Sequence, residues 1–347
     1  MDELLGAPIP AETTATCDDC AMVVPDTAAG DAGYNPATKC CTFVPDLWNF
    51  LVGGVLLDEH GDAGKGRASV EARIDRGVAV TPIGLGKSAT YSVIYQSSEN
   101  AFGHSRAMLC PHYLDEAGGL CGVWRHREST CTTWFCKFVR GAVGQGFWSE
   151  LHQLLRVAEE SVAAWCLLEL GVDSAVLARL FRPRRGGGRE SVSVTWQDVD
   201  GASDAADQRV VWGEWRGRER EFYVECARLV ARLAWADVMR IGGAQLTVHA
   251  RLTRDAFSRL TDYSIPAHPV TALVKITPRG PTRARLATYS SSDVLEVPSV
   301  VADVLSFLDG RATAEALDEI RRERGVILEP SLVRKLTDFG VLRDAAR

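Results

Sequence analysis

Eight of the ten cysteines in this 347-residue chain lie within its first 136 residues. They are Cys17, Cys20, Cys40, Cys41, Cys110, Cys121, Cys131 and Cys136. A thiolate is a soft anionic donor, and four thiolates can saturate a tetrahedral zinc ion or an iron–sulfur cluster. Since the rest of the chain contributes only Cys166 and Cys226, the clustering predicts a metal-binding N-terminal region.

The overall charge and the N-terminal sequence restrict the function classes. The formal net charge is −6 and the sequence pI is about 5.7, which argues against general nucleic-acid binding, because such binding depends on neutralising phosphates. The first residues, MDELLGAPIP, lack the basic start and apolar run of a signal peptide, and no stretch predicts a membrane span. We therefore expect a cytoplasmic protein with no membrane partner, in which paired cysteines are more often metal ligands or redox groups than disulfides.

Composition and hydropathy divide the chain into three predicted domains. Residues 1–146 are expected to form an irregular, cysteine-rich, metal-binding domain. Residues 147–294 are expected to form a mainly helical domain, and residues 295–347 a small winged-helix-like domain. The predicted fold class is therefore α+β.

Local patterns predict individual elements. Alternating apolar residues favour short strands at 70–74, 78–80, 91–95, 192–194 and 210–212. Apolar residues at helical spacing predict helices over 147–170 and 217–240. An apolar run from Leu47 is expected to stop at Gly53-Gly54, because glycine disfavours the helix interior.

The segment from Cys121 to Cys131 carries the strongest motif. It spells CGVWRHRESTC, and together with Cys110, Cys136 and the earlier cysteines it resembles the YkgJ-type cysteine-cluster family. That family is described as a zinc- or iron-chelating domain, with an early CxxCxxCC group and a later C-x-hydrophobic-aromatic-x-x-R-x-x-x-C segment. The matching positions in the later segment are Cys121, Val123, Trp124, Arg127 and Cys131. The resemblance covers roughly residues 15–140 and implies that the eight N-terminal cysteines are metal ligands.

Two features depart from the family pattern. Thr130 stands where the family often has proline before the last cysteine of the segment. Nineteen residues separate Cys20 from Cys40, whereas the family packs the first group into eight residues. The donor types of the first group are retained, but its geometry is left open.

The thiols alone allow several arrangements. Adjacent side chains diverge, so Cys40 and Cys41 are poorly placed to chelate one small ion; eight thiols could form two four-thiolate sites, or one site with bystanders. His112 and His126 are expected at the surface, although either could replace a thiolate. Arg127 is expected to neutralise the thiolates or to form a surface salt bridge. Cys166 and Cys226 lie on apolar helix faces and are expected to pack in a core.

The last fifty residues carry a second pattern. An apolar helix ends at Leu308-Asp309-Gly310-Arg311, a second helix follows, and a final helix ends at Gly340-Val341-Leu342. This order resembles PqqD-like peptide-chaperone domains, small winged-helix modules that hold a precursor peptide for modifying enzymes. The resemblance implies a peptide or protein partner, with a plain self-association or packing domain as the alternative.

These observations favour metal binding as the function, with an iron–sulfur cluster preferred over zinc or iron ions. Flagellin lysine N-methylases look similar in their cysteine groups, which leaves a cluster-containing enzyme that modifies peptides or proteins as the alternative. A non-catalytic adaptor that presents a peptide is a third. The sequence shows no nucleophile or acid–base pair, so it does not decide whether the chain is an enzyme.

Overall fold

A computed structural model describes residues 2–14, 16–23, 33–60, 63–98, 101–116, 119–181 and 205–345. The described chain contains both helices and strands, which confirms the coarse α+β prediction. The metal-binding and winged-helix parts of that prediction stay predictions. The strand predicted at 192–194 lies outside the described residues.

The chain divides into two compact units, each assembled from separate stretches of sequence. The cysteine unit comprises Cys17–Thr133 and His152–Val248. The C-terminal unit comprises Met1–Thr16, Trp134–Leu151 and His249–Arg347.

The cysteine unit is mainly helical with two small antiparallel sheets. One sheet has the order β1-β3-β2 and the other pairs β4 with β5. Its strands are β1 (Leu47–Trp48), β2 (Val80–Thr81), β3 (Gly84–Leu85), β4 (Tyr113–Leu114) and β5 (Leu120–Cys121). The helices that lie in it wholly or partly are α2 (Asn49–Leu57), α3 (Ala63–Arg76), α4 (Ala89–Ser97), α5 (Ser129–Thr133), α6 (Gly141–Glu169), α7 (Ser174–Leu180), α8 (Ala205–Trp212), α9 (Glu219–Val230) and α10 (Trp235–Thr261).

Helices α2 and α9 cross at a glycine. A Cβ atom on Gly53 would lie 1.8 Å from the carbonyl oxygen of Tyr223, so the crossing requires a residue without a side chain. The buried amide of Asn49, at the start of α2, donates to the carbonyls of Pro82 at 3.0 Å and Ala163 at 2.9 Å. These bonds tie α2 to the β2–β3 turn and to α6.

The C-terminal unit combines two further antiparallel sheets with short helices. β6 pairs with β10, and a three-stranded sheet has the order β7-β8-β9. The strands are β6 (Pro269–Thr271), β7 (Lys275–Pro278), β8 (Arg283–Ala287), β9 (Leu295–Pro298) and β10 (Leu342–Asp344). The helices that lie wholly in this unit are α1 (Asp2–Leu5), α11 (Ser299–Asp303), α12 (Thr313–Arg324) and α13 (Pro330–Asp338). Ala284 and Leu286 of β8 belong to the same buried core as the last helices, so this core recruits residues that precede position 295.

Several predicted elements are wrong. Residues 70–74, 91–95 and 210–212, expected as strands, lie in α3, α4 and α8. Helix α2 continues through Gly53-Gly54 to Leu57, because its glycines admit the neighbouring α9 and the ring of His126.

The long helix predictions fare better. The helix expected over 147–170 is confirmed as α6. The helix expected over 217–240 is two helices, since α9 ends at Val230 and α10 begins at Trp235. Among the described helices, none combines the length and apolar character that crossing a membrane requires.

Candidate metal centre

Seven of the eight predicted ligand cysteines lie in the cysteine unit, on four stretches of chain. These stretches are residues 17–20, 40–41, 110–121 and the region of Cys131. Cys110 precedes β4, Cys121 ends β5, and Cys131 lies within α5. The other four lie in the irregular chain before β1, and they are Cys17, Cys20, Cys40 and Cys41.

Hydrogen bonds connect three of these stretches. The N–H of Cys110 donates to the carbonyl oxygen of Cys41 at 2.7 Å. The ammonium of Lys39 donates to the carbonyl oxygens of Cys17 at 2.6 Å and Gly119 at 3.4 Å. Segments around residues 17, 40 and 120 are therefore adjacent in space although they are distant in sequence.

The seven thiols form one electrostatically linked group, hereafter the seven-thiol group. Burial raises the pKa of several of them, that of Cys110 to about 12, and neighbouring thiols raise these pKa values further. For Cys40 the hydrogen bond with the Cys41 thiol is the largest cause of its raised pKa. The neighbouring pairs include Cys17–Cys20, Cys17–Cys40, Cys40–Cys41, Cys40–Cys110, Cys110–Cys121 and Cys121–Cys131.

Positive charges oppose these upward pKa shifts. Arg127 and Lys39 both act to lower the pKa of Cys17, and Arg127 does the same for Cys121. The guanidinium of Arg127 lies 3.4 Å from the centre of the Trp124 ring and donates to the carbonyl oxygen of Cys131 at 2.9 Å. A nearby cation favours the thiolate, the form that binds metals.

Cys131 sits at the start of a short helix whose N–H groups are bonded to carboxylates. Glu128 accepts from the N–H groups of Thr130 at 2.7 Å and Cys131 at 3.0 Å. Glu159, from α6, accepts from the N–H of Ser129 at 3.1 Å. These contacts satisfy donors that a helix N-terminus leaves without intrahelical partners.

The two histidines of the motif have other partners. His112 is fully buried, so its expected surface position is wrong; its ring nitrogens lie 2.8 Å from Ser69 Oγ and 3.2 Å from an Arg73 nitrogen. Burial, with help from the charge of Arg73, lowers the pKa of His112 to about 3, so its ring is neutral. His126 is half-buried and contacts Asp58 at 3.2 Å. In these contacts, neither histidine ring has a cysteine of the motif as its hydrogen-bond partner.

The remaining three cysteines are Cys136, Cys166 and Cys226. Cys136 belongs to the C-terminal unit, and its role as an eighth ligand stays a prediction. Cys166 and Cys226 are fully buried in the core of the cysteine unit, with Cys166 Sγ 3.9 Å from the carbonyl oxygen of Cys226. Their predicted core packing is confirmed.

The donor set fits a thiolate-bound metal in chemistry but not yet in arrangement. Within the described residues, no three Cys, His, Asp or Glu side chains form a group that could hold a metal ion as they stand. The fit rests on seven soft donors in one linked group with cations beside them. Ligation would require the thiols to turn toward a common point.

Sequence reasoning did not identify Lys39, Arg73 or Glu159 as parts of this site. Lys39 carries a detectable signal only in its position beside Cys40, while its left-handed backbone (φ 50°) appears only in the structure. Arg73 and Glu159 lie on helices outside the cysteine motif, so nothing in their local sequence marks them.

The chain matches no protein-family model, no curated protein and no solved structure. The resemblances to YkgJ-type and PqqD-like proteins therefore rest on the motif residues alone.

Proposed function

We propose that this protein binds a metal centre through its N-terminal cysteines. The ligands come from Cys17, Cys20, Cys40, Cys41, Cys110, Cys121 and Cys131, with Cys136 as the eighth candidate. The observation that carries the proposal is that seven thiols from four stretches of chain raise one another's pKa, with Lys39 and Arg127 beside them.

An iron–sulfur cluster is the favoured occupant, and zinc or iron ions are the alternative. Seven or eight thiolates exceed the four that one structural zinc requires, whereas clusters are held by cysteine thiolates throughout. Once bound, a cluster would supply electron transfer, and zinc would supply a structural cross-link. The same proposal includes a functional relationship to YkgJ-type proteins. It also includes a cytoplasmic location, where reducing conditions keep the thiols free to bind metal.

The chain's own residues would prepare this site. Burial raises the thiol pKa values, so these cysteines keep their protons when no metal is bound. Binding a cation requires them to release those protons, so the metal affinity should increase with pH. Lys39 and Arg127 favour proton release from Cys17, because their positive charges act to lower its pKa.

Elemental analysis of the anaerobically purified full-length protein tests the proposal. We expect at least about one equivalent of iron or zinc per chain, and a broad visible absorption if the occupant is an iron–sulfur cluster. Cys121→Ser and Cys131→Ser should each reduce the metal content. Less than about half an equivalent of any transition metal would contradict the proposal.

A second candidate function is peptide binding by the C-terminal unit, and β7 favours it. β7 is an edge strand of its sheet, and all four of its residues are exposed. Exposed sheet edges can accept an extended peptide as an added strand. The protein would then act as a cluster-containing, methyltransferase-like enzyme that modifies peptides, or as a non-catalytic adaptor that presents them.

Titration of the full-length chain with extended peptides tests this candidate. We expect binding below about 100 μM, roughly −5.5 kcal/mol, that weakens in Ile276→Asp, which changes the edge strand. Absence of binding to any peptide at that level would favour a packing role for this unit.

A further inference from the structure

A carboxylate from a distant helix holds the beginning of the helix that carries Cys131. Glu159 lies in α6, and its Oε2 accepts two hydrogen bonds, from the N–H of Ser129 and from Nε1 of Trp48, both at 3.1 Å. Ser129 is the first residue of α5. All of these residues belong to the cysteine unit.

Helix α5 depends on such external contacts. It has five residues, and an isolated helix of that length is unstable in water because nucleation is costly. Glu128 bonds the N–H groups of Thr130 and Cys131, but it moves with α5 because it directly precedes it. Glu159 differs because it projects from a 29-residue helix and so provides a fixed reference point.

The placement of Glu159 also has a cost. Glu128 is buried and Glu159 is half-buried, and both carboxyl groups accept a hydrogen bond from Ser129. Burial raises the pKa of Glu159, and the charge of Glu128 raises it further. An apolar side chain would fill this space without that repulsion. The hydrogen bond to Ser129 is what an apolar side chain would lack.

We propose that Glu159 is a positioning residue of the candidate metal centre. By holding the N–H of Ser129, it fixes α5 relative to the rest of the cysteine unit, and so fixes where Cys131 presents its thiol. The consequence for metal binding rests on the proposed function, but the effect on Cys131 itself does not.

The choice of variants depends on Glu159 Oε2, because this one oxygen accepts both hydrogen bonds. Glu159→Gln keeps a carbonyl oxygen that can accept both bonds, whereas Glu159→Ala removes the acceptor. Glu160→Ala is the matched control, because Glu160 is the next residue of the same helix and pairs with Arg156 at a half-exposed site. Glu159→Asp, which withdraws the acceptor by one methylene, serves if the alanine variant does not fold.

The first measurement is the alkylation rate of Cys131 in the reduced, metal-free, full-length protein, followed by mass spectrometry of the peptide that contains it. We expect a severalfold increase in Glu159→Ala, and wild-type rates in Glu159→Gln and Glu160→Ala. The buried Cys166 and Cys226 report on global opening and should stay unreactive. An unchanged Cys131 rate in Glu159→Ala, or labelling of Cys166 and Cys226 together with Cys131, would overturn the proposal.

The second measurement is metal affinity by competition with a chelator. Residues that orient metal ligands typically affect affinity by about 10–100-fold, so we expect a loss of about 10-fold or more in Glu159→Ala and recovery in Glu159→Gln. Equal affinity in both variants would overturn the link to the metal centre. If the wild-type protein binds no metal, the proposed function fails, while the alkylation rates still decide the role of Glu159.

Discussion

The ammonium of Lys39 donates a hydrogen bond of 2.6 Å to the carbonyl oxygen of Cys17. The same group reaches Gly119, next to the strand that ends at Cys121, so one side chain links three cysteine-bearing stretches. Lys39→Met would remove both bonds and the positive charge beside Cys17 and Cys40. We expect metal affinity to fall by about 10-fold, measured by chelator competition, with Lys39→Arg retaining most of it. Wild-type affinity in Lys39→Met would contradict this role.

Glu159 gives the folded protein a pH dependence. Burial, the largest cause, raises the pKa of Glu159 from its usual 4.5 to about 7. The folded state therefore holds a proton that the unfolded state releases between these values, so stability falls as pH rises from about 4.5 through 7. A shift of this size corresponds to about 3 kcal/mol.

Glu159→Gln removes this titration. In the metal-free protein, chemical unfolding at about pH 5 and pH 8 should show the wild type losing about 2–3 kcal/mol relative to the glutamine variant. An equal pH dependence in both proteins would mean that Glu159 titrates normally.

The crossing of α2 and α9 predicts a sharp steric effect. Gly53→Ala places a Cβ against the carbonyl oxygen of Tyr223, and since backbone must move, we expect a loss of about 3 kcal/mol in the free energy of unfolding. The control is Gly146→Ala in α6, where a Cβ would meet no atom within 4 Å; it should stabilise by about 0.5–1 kcal/mol. Denaturant midpoints measure both, and equal effects would show that the helices do not cross this closely.

Cys166 and Cys226 allow the metal and packing roles of cysteine to be separated. Each is fully buried in the core, so Cys166→Ala and Cys226→Ala should each cost about 1 kcal/mol of stability. Metal content per folded chain should be unchanged. Loss of metal in either variant would show that the ligand assignment is wrong.

The errors in predicted secondary structure have a common origin. In a strand, Val70, Ala72 and Ile74 would share one face, because they are two residues apart. Val70 and Ile74 are also four residues apart, which places them together on one face of α3, where both are buried. A run of five residues therefore fits both periods. Longer range resolves the ambiguity: α6 was predictable because its apolar period extends over more than twenty residues.

A capping signal was available for α4. The hydroxyl oxygen of Ser88 accepts from the N–H of Tyr91 at 3.1 Å, as expected for a helix N-cap. Tyr91 and Tyr95, which suggested a strand, stack on each other one turn apart. Ser88 lies three residues before Tyr91, and Tyr91 and Tyr95 have the spacing of one helical turn. Together these positions indicate a helix, and the strand prediction did not take them into account.

For the candidate site, the sequence identified donor types better than their setting. The thiols could be recognised because cysteine is rare and its clustering is visible along the chain. Glu159 and Lys39 act through contacts with residues up to 111 positions away, and such contacts depend on tertiary packing that no local pattern encodes. His112 illustrates the converse, because a polar residue beside a motif looked exposed although the fold buries it.

The four stretches of the seven-thiol group have a consequence for the newly made chain. Cys131 leaves the ribosome 114 residues after Cys17, a delay of roughly ten seconds at ordinary rates of translation, and Glu159 emerges later still. During that interval the early cysteines have no complete set of partners and are open to oxidants and stray metals. If these thiols hold the proposed metal centre, its loading is a late event in biosynthesis, and it should depend on the reducing capacity of the compartment while the chain is still being synthesised.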